Sequence, residues 1–217
     1  MDTKQRFILN REEIAKRHVY YFFKRVCDLV LSLAGIILLS PFFLIISIAV
    51  KLNDGGPVFY RQERVGLNGK GFKIFKFRSM HVDADKKLAE LKAQNEVDGP
   101  MFKMKHDPRV TRVGHFLRKT SLDELPQLFN VVLGNMSLVG PRPPLPSEVL
   151  EYTEYDKQRL WVIPGITGLW QATVRNSVGF HEMVELDLEY IQNASLWFDF
   201  IILLKTVKVI FKPNNAY

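Results

Sequence analysis

From Leu29 to Val50 the chain reads LVLSLAGIILLSPFFLIISIAV, 22 residues without a charge, and this block limits the fold more than any other feature. A hydrocarbon core of ~30 Å is crossed by about 20 apolar residues, so length alone allows a membrane helix. A helix apolar on every face over such a length does not suit a soluble core. A cleaved signal peptide fits no better, because the block is too long and no small-residue cleavage site precedes the polar chain.

Ser40-Pro41 near the middle of the block argues against a simple crossing. Proline removes a helical hydrogen bond and clashes with the preceding turn. It divides the block into Leu29–Leu39 and Phe42–Leu52, arms of about 16 Å each at roughly 1.5 Å per residue. Either arm reaches about half of a ~30 Å core. Basic residues flank both ends: Lys16, Arg17, Lys24 and Arg25 before, Lys51, Arg61 and Arg64 after. A spanning helix concentrates Lys and Arg on one side. The pattern therefore predicts a re-entrant helix that bends at Ser40-Pro41 and returns to the same face, with a kinked single span as the alternative.

Charge elsewhere is segmented. The formal net charge is +7, and residues 51–119 hold sixteen Lys/Arg against eight Asp/Glu, whereas residues 120–217 hold seven against eleven. A basic middle beside a membrane block suits anionic headgroups and phosphorylated substrates, and argues against nucleic acid. The single Cys27 excludes an intramolecular disulfide and points to a reducing compartment.

Beyond the block the chain is globular and α+β, rich in helix. Alternation in Phe72-Lys73-Ile74-Phe75-Lys76-Phe77-Arg78 predicts a half-buried strand, and Leu67-Asn68-Gly69-Lys70-Gly71 the turn before it. Residues 83–97, 120–133, 146–160 and 180–193 read as helices, and residues 109–119 alternate basic and apolar. Gly140-Pro141-Arg142-Pro143-Pro144 reads as a rigid loop. Leu196–Phe211 is apolar but interrupted by Asp199, Lys205 and Lys208. It fits an amphipathic interfacial helix with Trp197, Phe198 and Phe200 at headgroup depth, or a buried terminal helix.

The chemistry is expected at Asp123-Glu124. Two adjacent carboxylates follow Arg118 and Lys119 and precede Pro126. Ser121 as helix cap with Glu124 reaching back would make a capping box, but Pro126 would then break a helical hydrogen bond. With Asp123 at the cap, Pro126 costs nothing. A carboxylate at a helix N-terminus beside Arg118 is held ionised, able to attack phosphorus and form an acyl-phosphate. Glu124 would then hold Mg2+, which takes one or two carboxylates plus substrate phosphates. Arg142, between two prolines, is pre-positioned for bidentate phosphate binding. The five histidines show no zinc-ligand spacing.

Several ordered motifs resemble a known family. They are Lys24-Arg25-Val26-Cys27-Asp28 leading into the Ser40-Pro41 block, Gly56-Pro57-Val58-Phe59-Tyr60-Arg61-Gln62-Glu63-Arg64-Val65-Gly66 and Phe75-Lys76-Phe77-Arg78-Ser79-Met80. Asp107-Pro108-Arg109-Val110-Thr111, Thr120 to Gln127, Ser137 to Pro143 and Pro164 to Gln171 continue the series. Together they resemble the bacterial sugar transferases, the monotopic phosphoglycosyl transferases that move a sugar-1-phosphate from a nucleotide diphosphosugar to a polyprenyl phosphate.

The resemblance implies that Asp123 is the nucleophile forming a covalent phosphosugar intermediate, with release of UMP from a UDP-sugar. It implies that Glu124 coordinates Mg2+, that Arg118 contacts phosphate, and that Lys76 and Arg142 line the same site; Arg78 and Arg175 join them as candidate phosphate ligands. The acceptor would be undecaprenyl phosphate, the sugar a hexose, and the pathway exopolysaccharide or O-antigen assembly. Many members carry transmembrane helices upstream, whereas about 25 residues precede the block here, so the chain resembles the catalytic unit alone. The expected organisation is a basic segment 1–25, a re-entrant membrane helix 26–54, and a cytoplasmic catalytic domain 55–217 on a bacterial inner membrane. A homo-oligomer is compatible with the sequence. The competing readings are a direct single-step transfer and a non-enzymatic basic module gripping anionic lipid or nucleic acid.

Overall fold

The computed structural model describes residues 8–84, 91, 104, 107–174 and 178–211. The short helix α1 (Arg11–Ala15), capped by the Asn10 side chain accepting from the Glu12 and Glu13 amides, leads into α2 (His18–Asp54). A hairpin follows, β1 (Phe59–Val65) antiparallel to β2 (Gly71–Phe77), with Phe59 opposite Phe77 and Val65 opposite Gly71. Its turn, Leu67–Gly69, places Asn68 and Gly69 at positive φ, the conformations these two residue types tolerate best. Next come α3 (Arg112–Thr120), a 3-10 turn at Leu122–Glu124, α4 (Gln127–Val132) and β3 (Ser137–Val139). After α5 (Pro146–Leu150) and a 3-10 segment at Asp156–Trp161, β4 (Gly165–Thr167) pairs parallel with β3. The chain closes with α6 (Leu169–Thr173), α7 (Phe180–Asn193) and α8 (Leu196–Phe211).

Helix α2 has 37 residues and hence a contour length of about 55 Å. It is long and apolar enough to cross a membrane. Its amphipathicity is inverted relative to a soluble helix. Val19, Phe22, Phe23, Val26, Val30 and Ile37 are exposed, whereas Asp28 and Ser32 are buried against the body. Both ends hold that same body. At the N-terminal end Lys24 Nζ and Tyr20 Oη each donate to Asp199 Oδ2 of α8 at 2.9 Å, and the Leu138 amide donates to Asp28. At the C-terminal end Asp54 pairs with Arg78 beyond the hairpin.

The predicted division into two arms is not what the helix shows, since it continues through Pro41. The carbonyl that a residue at 41 would normally bond is that of Ile37. Ser40 Oγ donates to that carbonyl at 2.8 Å, so the group freed by proline is satisfied locally.

Three apolar clusters fill the body. Val139, Leu169, Val184, Leu188, Ile191 and Ile202 anchor the largest, which joins β3 to the last three helices. Ile46 and Val50 of α2 pack with Phe77 and Leu117, and with the half-buried Leu122 and Leu125. Ile74, Val131 and Met136 seat the hairpin on α4.

Other expectations were met unevenly. The strand at 72–78 and the helix at 180–193 form as read, the strand ending at Phe77. Residues 109–119 contribute a helix from Arg112, and 146–160 splits into α5 and the 3-10 segment. The helix expected at 83–97 lies almost wholly outside the described residues. Helix α8 is a terminal helix with Ile202 and Asp199 buried and with Trp197, Phe200, Leu204 and Val207 exposed, whereas Phe198, expected at headgroup depth, packs against the core.

Candidate active site

The site is assembled around the turn between α3 and α4. Thr111 caps α3 through its hydroxyl and the Gly114 amide, and Gly114 lies so close to Ser79 that a Cβ would meet its carbonyl oxygen at 1.8 Å. The helix ends at Ser121, which adopts a left-handed conformation with φ 57°. For a residue with a side chain this costs about 1–2 kcal/mol, and it reverses the chain so that Leu122–Glu124 forms a tight turn. Leu122 and Leu125 point into the cluster shared with α2. Between them the two carboxylates are presented on the opposite side. Pro126 then caps α4 with φ −63°, where its missing N–H breaks no bond.

This geometry corrects the cap reading of the motif. Neither Ser121 nor Asp123 caps the following helix, which begins after Pro126. Nor is Asp123 held strongly ionised. It is 8% exposed, and burial pushes its carboxyl up to about 6, against the lowering effect of Lys76 and with a further push from Glu124. Arg118 supplies a smaller positive field and acts on Asp107 as well.

Glu124 behaves oppositely. Burial alone would raise it, but Lys76 outweighs that effect through charge and a 2.7 Å hydrogen bond, with Arg142 and Arg64 adding to it, and Glu124 is held below its ordinary value. The two carboxylates are thus driven apart in acidity, as in sites that give adjacent acids different tasks.

Lys76 is delivered by β2, which Asn130 of α4 fixes in place. The fully buried Asn130 side chain donates to the Lys73 carbonyl at 2.7 Å and accepts from the Phe75 amide at 2.9 Å. Arg142 is delivered by the loop after β3. Its Nη1 donates to Glu148 Oε2 at 3.1 Å, and the same oxygen accepts from the Leu145 amide at 2.9 Å. Arg64 of β1 braces this loop by donating to the Pro143 carbonyl at 3.0 Å, while the Val65 amide donates to the Pro144 carbonyl. Burial, and then the charge of Arg142, lowers Arg64 to about 10.

Two glycine motifs lock the loop from beneath. The Gly140 amide donates to the Thr167 carbonyl and the Gly165 amide to the Pro141 carbonyl, each at 2.9 Å. A Cβ on Gly165 would lie 2.1 Å from the Gly140 nitrogen, so only glycine allows this approach.

The structure therefore brings together Asp123, Glu124, Lys76, Arg118 and Arg142. Arg78 is not joined to them. The strand ends at Phe77, so Arg78 turns away and its buried guanidinium pairs with Asp54 at the end of α2. Arg175 lies outside the described residues. Arg64, Asn130 and Glu148 were not anticipated. Among them only Glu148 carries a sequence signal, as the third helical residue after Leu145-Pro146.

Among the described residues no group of three or more His, Cys, Asp and Glu forms a metal cage. Asp123 and Glu124 are nonetheless adjacent hard oxygen donors, and the Glu124 side chain is 39% exposed. This set suits Mg2+, which completes its shell with water and substrate phosphate.

A buried carboxylate raised to about 6, a second one held low by lysine, and Arg142 on a braced loop thus form one charged cluster. The chain matches the family described as bacterial sugar transferase over residues 19–213, and it belongs to that family. It is 48% identical over 206 residues to a UDP-galactose-lipid carrier transferase of Erwinia amylovora, covering 93% of this chain and 43% of the relative. It is 46% identical over 200 residues to the undecaprenyl-phosphate galactose phosphotransferase of Salmonella typhimurium (strain LT2), covering 90% and 42%. The exopolysaccharide production protein ExoY of Rhizobium meliloti (strain 1021) is 41% identical over 215 residues, covering 97% and 95%. The chain thus spans less than half the length of the first two relatives and nearly all of the third.

Proposed function

We propose that this chain transfers a hexose-1-phosphate from a UDP-sugar to undecaprenyl phosphate through a covalent intermediate on Asp123. The observation that carries the reading is the division of the carboxylate pair, with Asp123 buried and Glu124 engaged by Lys76. The printed names of two relatives, a UDP-galactose-lipid carrier transferase and an undecaprenyl-phosphate galactose phosphotransferase, support the donor and acceptor.

In the first step an Asp123 oxygen attacks the phosphorus that bears the sugar. The bond from that phosphorus to the bridging oxygen breaks, and UMP leaves with the electron pair. In the second step a phosphate oxygen of the acceptor attacks the acyl-phosphate, and the Asp123 carboxylate is regenerated. Arg142, held by Glu148, binds and orients donor phosphate, and Arg118 adds positive field at Asp123. Lys76 keeps Glu124 ionised and lowers the cost of ionising Asp123. Mg2+ bound by Glu124 with the donor diphosphate would supply charge neutralisation at the leaving phosphate.

The reading includes a re-entrant course for α2, with the body on the cytoplasmic face of the inner membrane. It is supported by the attachment of both helix ends to one polar body and by the proline between them. The exposed stripe on α8 suits contact with the same interface.

A second reading follows from the Asp123 value near 6, which also suits a general base activating the acceptor for direct transfer. One experiment separates the two. Enzyme incubated with phosphate-labelled UDP-sugar and no acceptor should take up label and release UMP, and Asp123→Asn should do neither. Turnover with acceptor but no labelled protein would overturn the covalent scheme.

A further inference from the structure

A partly open cavity of about 410 Å3 lies away from the catalytic turn, between α1, the first turns of α2, the hairpin turn, β3 and α7. Its volume falls within the range of roughly 300–1,000 Å3 typical of ligand sites. Ile14, Met136, Val162 and Ile191 give it an apolar lining. Its charged lining is Arg11, Lys24 and Arg25 against the single carboxylate of Asp28. Lys24 is neutralised by Asp199. Arg11 donates to the Asn68 side chain and lies over the Trp161 ring, and Arg25 donates to the Val131 and Val132 carbonyls. Among the described residues neither guanidinium forms an ion pair, the α4 carbonyls giving Arg25 only a partial negative charge.

We propose that this cavity binds one anionic phospholipid, with an acyl chain inside and its phosphate met by Arg11 and Arg25. Its α2 wall, Tyr20 to Asp28, is the body-facing side of a segment whose outward residues Phe22, Phe23 and Val26 are exposed and apolar. The cavity therefore sits where the chain enters the bilayer, within reach of membrane lipid. The reacting end of the acceptor does not fit here. Arg25 holds the C-terminal carbonyls of α4, a helix about 9 Å long, whereas Asp123 precedes its N-terminus. The cavity shares no lining residue with Lys76, Asp123, Glu124 or Arg142. The inference rests on the membrane reading of α2 and not on the transfer chemistry.

The test uses the full chain purified from membranes in mild detergent. Native mass spectrometry should find one retained phospholipid, and thermal unfolding in phosphatidylcholine nanodiscs should shift upward when phosphatidylglycerol is added. Ala194→Phe and Ala15→Phe, each of which adds a ring at a residue lining the cavity, should each lower retention about tenfold, or ~1.4 kcal/mol. Arg11→Gln should remove the preference for phosphatidylglycerol over phosphatidylcholine. UMP release by the filled variants reads the chemistry separately and should persist. No retained phospholipid, or unchanged retention in both filled variants, would overturn the proposal. Stabilisation by undecaprenyl phosphate alone would also overturn it, by giving the cavity to the acceptor.

Discussion

Lys76 Nζ lies 2.7 Å from Glu124 Oε1, so this lysine is bonded to the neighbour of Asp123 and reaches Asp123 itself through its field. The hydrogen bond fixes Glu124 in its ionised form. The field offsets part of the burial cost at Asp123 without occupying its carboxylate oxygens, which the proposed transfer requires to be free. A lysine bonded directly to Asp123 would hold the carboxylate ionised but blunt its nucleophilicity.

Covalent labelling should depend on ionised Asp123. Its rate is expected to rise with pH through a midpoint of about 6, measured by quenched-flow labelling across a pH series. A midpoint near the ordinary aspartate value would show that burial does not control this group.

The same burial makes Asp123 a stability liability. Its folded pKa, about 6, lies above the ordinary 3.8. The folded state therefore binds the proton more tightly, and stability falls as pH rises between those values. Asp123→Asn should raise thermal stability at neutral pH by roughly 1–3 kcal/mol, and the gain should vanish below the ordinary aspartate pKa. Melting curves at neutral and acid pH provide the check.

Lys76→Met removes the largest influence that lowers Asp123. The pH midpoint of labelling should move upward from about 6, and the rate at neutral pH should fall on the order of tenfold. A variant with reduced rate and an unmoved midpoint would assign lysine to donor binding alone.

Glu148 is 1% exposed and accepts from Arg142 Nη1 at 3.1 Å. Glu148→Gln keeps an acceptor for the Leu145 amide but loses the charge that holds the guanidinium. The donor KM should rise about tenfold, with a smaller effect on kcat. Combining it with Arg142→Lys should add little, because both changes act on one contact.

Cys27 is exposed and is the only cysteine, so it reports the entry side of α2. An impermeant maleimide applied to oriented vesicles should label Cys27 and, in the variant Asn53→Cys, the far end of the helix from the same side. Labelling of the two positions from opposite sides would establish a span.

The long apolar helix, the hairpin and the clustering of Lys76 with the Asp123-Glu124 pair were legible because each depends on local pattern: an uncharged run, a period of two, and adjacent carboxylates between leucines. The motif's conformation was not. A cap reading follows naturally from Ser121 and Glu124 three residues apart, and only the left-handed Ser121 diverts the chain. Arg78 looked equivalent to Lys76, two residues earlier on the same strand face, until the sheet ended between them. Asn130 sits in an apolar run with nothing to mark it, since its role requires a strand distant in sequence to arrive alongside.

Leu122 and Leu125 flank the two carboxylates and share a core with Ile46 and Val50 of the membrane helix. The long apolar helix and the Asp123-Glu124 turn are consequently one folding unit. Cutting the chain after residue 54 would expose the underside of the catalytic turn along with Phe77 and Leu117, and the released piece would lose the shape of its active site. For this architecture, the long apolar helix is a condition of holding Asp123 and Glu124 in position at all.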